Sequence, residues 1–246
     1  MKFIGIDLAW TYKNESGICV MDESGEVLIL ESAVFSDEEI INIIKSYGDE
    51  KLYIAIDAPL VVNNETGSRQ AERDLLKGRI NGHRVYAFNS NRTFLTKTFK
   101  SIRGEVLSNL IIEHLPNISI GIDEEGSSII ETFPTGIVSG LFPDIYPVKY
   151  KRKKGVTFEE NVEQMKLLTE RIGLLEQRGI ISGFKEKLMV DEAAINRKHH
   201  KHLEDKLDAF LCALGLYMIY KEMAAARKFG TDEDGFILLP EVLEEV

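Results

Sequence analysis

The chain has 246 residues, enough for one large domain or two small ones with a substantial core. Its 44% apolar and 28% charged residues are ordinary globular usage, and no apolar run approaches the roughly 20 residues that span a bilayer. A formal charge of −10 does not advertise a nucleic-acid binder, and two cysteines, Cys19 and Cys212, form no metal or redox spacing. With no basic start or cleavage site ahead of the first strand pattern, the expectation is a cytoplasmic chain without a signal peptide and with no membrane partner.

In chain order, "KFIGIDL" (2–8) and "GICVMD" (17–22) read as strands, and "ESG" turns the second into a third at 26–32, giving a hairpin. Ser36 and Glu39 have capping-box spacing ahead of Ile40, Ile41, Ile44 and Tyr47, one helical face. "KLYIAIDAPL" (51–60) is a fourth strand, and the helix before it is long enough to bring it in parallel to the first. From 61 to 125 the pattern loosens. It holds a short helix in "SRQAERDLLKGRINGH", a polar loop in "YAFNSNRTF", and a helix at 105–115 stopped by Pro116. "SSIIETFPT" (127–135) reads as a strand ended by Pro134, 158–178 as a helix stopped at Gly179, and 185–197 as a shorter helix. The strongest late helix covers Leu203 to Lys221, and "GFILLPEV" adds an edge strand. With no repeat and no low-complexity linker, the reading is a single domain over 1–246 with insertions at about 61–125 and 140–200.

Charge is unevenly spread. From Glu65 to Arg103 nine lysines or arginines face three acids, and "KYKRKKG" from Lys149 adds five cations. Runs of this kind are most often solvated faces. Arg69, Arg73, Arg84 and Arg92 stand out because they follow Asp57 closely and could flank a phosphate chain. Trp10 and Tyr12 follow Asp7 and could stack a base or simply pack.

Three carboxylate placements are unusual. Asp7 and Asp57 each end an apolar strand, where a ligand and an ordinary turn are both open readings. In the late helix Asp205 and Asp208 are three apart and share a surface; Asp208 continues the stripe of Cys212, Gly215 and Ile219, small enough at two positions for close packing on a sheet. An unpaired buried carboxylate is expensive. No lysine or arginine stands obviously alongside in sequence, so a divalent cation such as Mg²⁺ is the expected partner. His199, His200 and His202 are read as capping a solvated helix start.

The set "GIDLAW", "AIDAPL", "ETFPTG", "DKLDAFLCALGLY" and "GFILLP" resembles a prokaryotic family of unknown function predicted to be RNase H-like nucleases. Asp205 and Asp208-Ala209 are also similar to the last-helix motif of the Holliday-junction resolvase RuvC. The resemblance implies an α/β fold with an RNase H-like mixed five-stranded sheet flanked by helices. It implies metal-ligand roles for Asp7, Asp57, Asp205 and Asp208, Glu131 as a fifth ligand or water-orienting base, and Mg²⁺ or Mn²⁺ as cofactor. It departs from the resolvase pattern at Asp57, where the resolvase has glutamate. The function implied is a divalent-metal-dependent nuclease acting on DNA or RNA, with a homodimer plausible by analogy. Two rivals stay open: an ATP phosphotransferase of the actin-like and sugar-kinase kind, and a non-catalytic nucleic-acid or protein-binding module.

Overall fold

Strands buried on both faces, with alternate side chains entering two different cores, organise the N-terminal half. The computed structural model describes residues 1–115, 117–123, 125–189 and 195–242. Strand β1 (Lys2–Asp7) pairs antiparallel with β2 (Ser16–Asp22), and β2 with β3 (Val27–Ala33). The hairpin turn places Gly25 at φ +88°, a conformation that favours glycine. Helix α1 (Asp37–Lys45) opens on the expected capping box, Ser36 with Glu39, and returns the chain to β4 (Leu52–Asp57). This strand lies parallel to β1 with Asp7 opposite Asp57. Strand β6 (Ser127–Glu131) extends the sheet parallel to β4.

Among the described residues the sheet has eight strands where five were expected, in the order β3-β2-β1-β4-β6-β8-β7, with β7 at Ala225–Thr231 and β8 at Gly235–Glu241. The short β5 (Ile118–Ile120) pairs with the first half of β6, and β8 (Gly235–Glu241) meets β6 at its end, Glu131 opposite Ile237. The added strands have physical reasons to be missed. Three residues of β5 are too few to show a period of two. In β7 (Ala225–Thr231) only Phe229 is buried, so no apolar alternation exists to read. "GFILLPE" is not an edge strand: it sits between β6 and β7, and six of its seven residues are buried. The outer edge is β7.

Helices cover both faces. On one face Ile4, Ile6, Ile54 and Ile56 meet α1 and α4 (Arg103–His114) through Ile40, Ile44, Leu107 and Ile111. On the other face Phe3, Cys19 and Ala55 meet α5 (Pro134–Leu141), α6 (Phe158–Gln177), α7 (Phe184–Leu188) and α8 (Arg197–Tyr220). Pro134 ends no strand. It is the first residue of α5, where its missing N–H costs nothing. Two further helices, α2 (Gln70–Lys77) and α3 (Arg92–Phe99), lie in the 61–125 region; the polar loop read at "YAFNSNRTF" holds over 86–91, and α3 begins in its last three residues. The helix expected over 185–197 is realised only as α7, with residues 190–194 outside the described set, as is Pro116. α8 begins six residues earlier than expected, capped by the Asn196 side chain, so the three histidines lie within its first turns, and His200 is buried against Phe158. Among the described residues no helix is long and apolar enough to cross a membrane.

Two glycines decide how α8 meets the sheet. A Cβ on Gly5 would stand 2.0 Å from the Ala209 carbonyl oxygen, and one on Gly17 2.0 Å from that of Asp205. Only bare backbone on β1 and β2 lets the helix lie this close. The close approach carries the acids of α8 to the strand ends.

Candidate metal centre

Alternation fixes the direction of the strand acids. Phe3 and Gly5 face α8, so Asp7 does too; Tyr53 and Ala55 do the same for Asp57. Helix α8 then supplies Asp208, and one carboxylate oxygen from each of Asp7, Asp57 and Asp208 lies within 4.8 Å of the others. Asp205, one turn earlier, borders the same cleft of about 710 Å³ but is not part of that group. Both helix acids are buried, 1% exposed for Asp205 and 2% for Asp208.

Two lysines face these acids, although neither stands out beside them in sequence. Lys151 Nζ is 2.6 Å from Asp208 Oδ2, and the Tyr150 hydroxyl donates to Asp208 Oδ1 at 2.5 Å. The segment carrying both is pinned from α6, where the buried Asn161 side-chain amide donates to the Lys149 and Lys151 carbonyls at 2.7 and 2.9 Å. Lys201 Nζ reaches Asp205 Oδ1 at 2.6 Å and Glu204 Oε1 at 2.8 Å, pairs at i+4 and i+3. Asp7 and Asp57 form no ion pair with a described residue.

The acids remain electrostatically stressed despite these lysines. Burial pushes the Asp57 carboxyl up to about 7, with Lys151 opposing and Asp208 and Glu131 adding to the rise. Burial, then Asp208 and Asp57, hold the Asp7 carboxyl well above the usual carboxylate range. Burial raises Asp205 and Asp208 as well, against the pull of Lys201 and Lys151 respectively. Asp205 Oδ2 is buried with no hydrogen-bond partner. Converging carboxylate oxygens, raised proton affinities and an orphaned acceptor fit a divalent cation that prefers oxygen ligands.

Glu131 has a different setting. Arg69 grips it with two guanidinium nitrogens, at 2.8 and 2.5 Å, and the Leu60 amide donates to it at 3.0 Å. Arg69 also binds Glu72 at 2.8 Å and the Val61 carbonyl at 3.0 Å, and is itself buried. Its donors are turned inward, so it is an internal ion-pair partner at the cleft wall. The remaining sequence candidates scatter. Arg73 is exposed and donates to the Ser68 carbonyl; Arg84 is exposed; Arg92 holds Glu105 at 2.7 and 2.9 Å. Trp10 lines the cleft and stacks on Phe99, ring centroids 4.9 Å apart. Arg103, counted within the basic run, is buried and bonds the Ala9 carbonyl and Asp37, which fixes the chain just after Asp7.

Sequence reasoning passed over Tyr150, Lys151, Lys201 and Glu204. "KYKRKKG" is visible as a charge run, but nothing local tells which lysine turns inward. The burial of Tyr150 does that, because it drags its neighbour to the cleft. Glu204 stands four residues before Asp208, a helical spacing that could have extended the acidic face.

No curated protein and no solved structure matches the chain. Residues 5–226, which run from the second half of β1 through the whole of α8 to the start of β7 and hold every acid of the cluster, match the family described as "Protein of unknown function (DUF429)", and the chain belongs to that family.

Proposed function

We propose that the cleft is the centre of a divalent-metal-dependent phosphodiester hydrolase, a nuclease on an RNase H-like frame, using Mg²⁺ or Mn²⁺. The observation that carries this reading is the meeting of Asp7, Asp57 and Asp208 within 4.8 Å at the carboxyl ends of two parallel strands. Support also comes from the strand-strand-strand-helix-strand order that begins the chain and from the last long helix bringing its acids to those strands. Asp7, Asp57 and Asp208 would hold the cation, and Asp205, with its unused oxygen, would serve a second position beside Asp7. A bound ion pair would supply an activated water and charge stabilisation at the leaving oxygen.

The residues of the chain have separable roles. Tyr150 and Lys151 orient the Asp208 carboxylate, one partner on each oxygen. Lys201 holds Asp205 from the solvent side and, being more than half exposed, presents its ammonium toward an incoming phosphate. The Arg69–Glu131 pair keeps the cleft wall rigid and the Leu60 amide satisfied, which fixes the chain leaving Asp57. Incubating the protein with single-stranded, branched and RNA–DNA hybrid substrates in Mn²⁺ tests the reading. Cleavage that Asp7→Asn and Asp208→Asn both abolish is expected; cleavage persisting in both variants rejects it.

A second reading has its own observation. Because Lys151 and Lys201 already neutralise two of the acids, the fold could be a non-catalytic binding module whose acids are structural. Calorimetry that shows no Mn²⁺ uptake, with intact nucleic-acid binding, selects this reading.

A further inference from the structure

We infer that the rim of the cleft carries a shelf for unstacked nucleobases, so that the polynucleotide it takes is single-stranded where it crosses the site. The inference rests on the nuclease reading and names its substrate class. Trp10 lies three residues beyond Asp7 and stacks on Phe99 at 4.9 Å and 21° between planes. Phe88 tilts against Trp10 at 5.4 Å, and Phe94 joins Phe88 at 5.5 Å and Phe99 at 6.2 Å. Beneath these rings lies a small separate core of Val62, Leu95 and Ile102.

The outer rings are not buried by that core. Phe88 is 51% exposed and Phe94 41%, while Trp10 and Phe88 line the same cleft as the acids. A connected patch of open aromatic faces at a cleft mouth marks a binding surface. Its electrostatics point to a polyanion. Residues 75–104 hold seven lysines and arginines and no acid, in a chain whose formal charge is −10; Arg92 is held by Glu105 and Arg103 is buried on Asp37, and the other five are exposed. Lys97 and Lys100 of this run are exposed on and just after α3, the helix that carries Phe94 and Phe99, and the exposed Lys13 borders the cleft from the opposite segment.

Flat rings flanked by cations are the means by which proteins hold single strands without reading sequence, since every base offers a π-face and every linkage a charge. A duplex hides those faces in its own stack. A protein partner would meet a rim as cationic as it is apolar, which suits nucleic acid better. DNA and RNA share this chemistry, and the experiment sorts them.

Trp10 is the only tryptophan of the chain, so its fluorescence reports on the shelf directly. The metal-free protein in EDTA is titrated with oligothymidylate, oligouridylate, a blunt duplex of equal length, and an abasic sugar-phosphate oligomer. Expected are quenching by at least one single strand and binding about tenfold weaker in Phe88→Ala and in Phe94→Ala, as loss of one stacked base implies. Duplex and abasic oligomer should bind weakly, without quenching and without dependence on either phenylalanine. Oligodeoxyuridylate, which differs from oligouridylate only by the 2′-hydroxyl, is titrated alongside, and the stronger of that pair identifies the sugar. Both variants replace half-open side chains, and an unchanged thermal melt establishes that they fold. Equal binding of duplex or abasic oligomer overturns the shelf, as does quenching that follows protein concentration alone, the sign of self-association. Because EDTA removes the metal, the shelf can stand while cleavage fails, and cleavage can stand while the shelf fails.

Discussion

Two groups of acids border one cleft and are neutralised in opposite ways. Glu131 sits against Arg69 with both oxygens engaged, and Arg69 has Glu72 and a carbonyl for its remaining donors. A few ångströms along the sheet edge, Asp7 and Asp57 face each other and Asp208, with Lys151 the cation nearest to serving all three. Both groups consist of acids at strand ends or on a packed helix, and both are largely hidden from water. What separates them is the supply of fixed positive charge. In the Glu131 group one guanidinium bridges Glu131 and Glu72, and the Leu60, Arg69 and Ser90 amides donate to the same carboxylates, whereas Lys151 pairs with Asp208 and leaves Asp7 and Asp57 without an ion pair to a described residue. An acid at a strand end therefore says little until its partners are counted.

The sharpest way to break the contrast is Glu131→Ala. Glu72 still pairs with Arg69, but the buried guanidinium loses two hydrogen bonds and the Leu60 amide its acceptor beside an empty volume, and about 3–5 kcal/mol of stability should be lost. Urea denaturation of the metal-free variant measures this. Mn²⁺ should still stabilise whatever fraction folds, because the aspartate group is intact. Loss of Mn²⁺ binding with little loss of stability would mean that Glu131 belongs to the other group after all.

Lys151→Met tests the aspartate side and should have a smaller effect. Removing the ammonium leaves Asp208 with Tyr150 alone and destabilises the metal-free protein by on the order of 1–3 kcal/mol at neutral pH. Mn²⁺ should restore the loss, so the metal-induced rise in melting temperature is larger in the variant than in the parent. An equal rise in both would show that Lys151 and the cation answer to different charges.

The third test needs no mutation. Asp57, pushed up to about 7 chiefly by burial, keeps its proton in the folded chain where the unfolded chain has lost it. Between the unfolded carboxylate value near about 4 and about 7, the folded state binds more protons, so stability falls as pH rises through that window. Asp7, raised by burial and by Asp208 and Asp57, adds to the same slope. Melting curves without metal should therefore decline from mildly acidic to neutral pH. The increment from Mn²⁺, which needs the ionised acids, should grow over the same range. A flat metal-free profile would show that the aspartates are neutralised as fully as Glu131.

Much of this arrangement was legible before any folding. The alternation in "KFIGID" and "LYIAID", the box of Ser36 with Glu39, and the three-residue step from Asp205 to Asp208 are local periodicities, and each appears in the structure at nearly the expected place. They suffice to set β1 beside β4 and to aim Asp7 and Asp57 at the same face. Elements without a period were not legible. β7 has a single buried residue, and β5 is three residues long. The loop at 149–157 shows only a run of charge.

The sequence by itself determined which acids could meet, because strand alternation and helical spacing are properties of neighbouring residues. Only the tertiary structure decided which of them are short of positive charge. Arg69 and Glu131 are 62 positions apart, and Tyr150 and Asp208 are 58. Ion pairing depends on distance in space and on the water removed by packing, and neither is written along the chain.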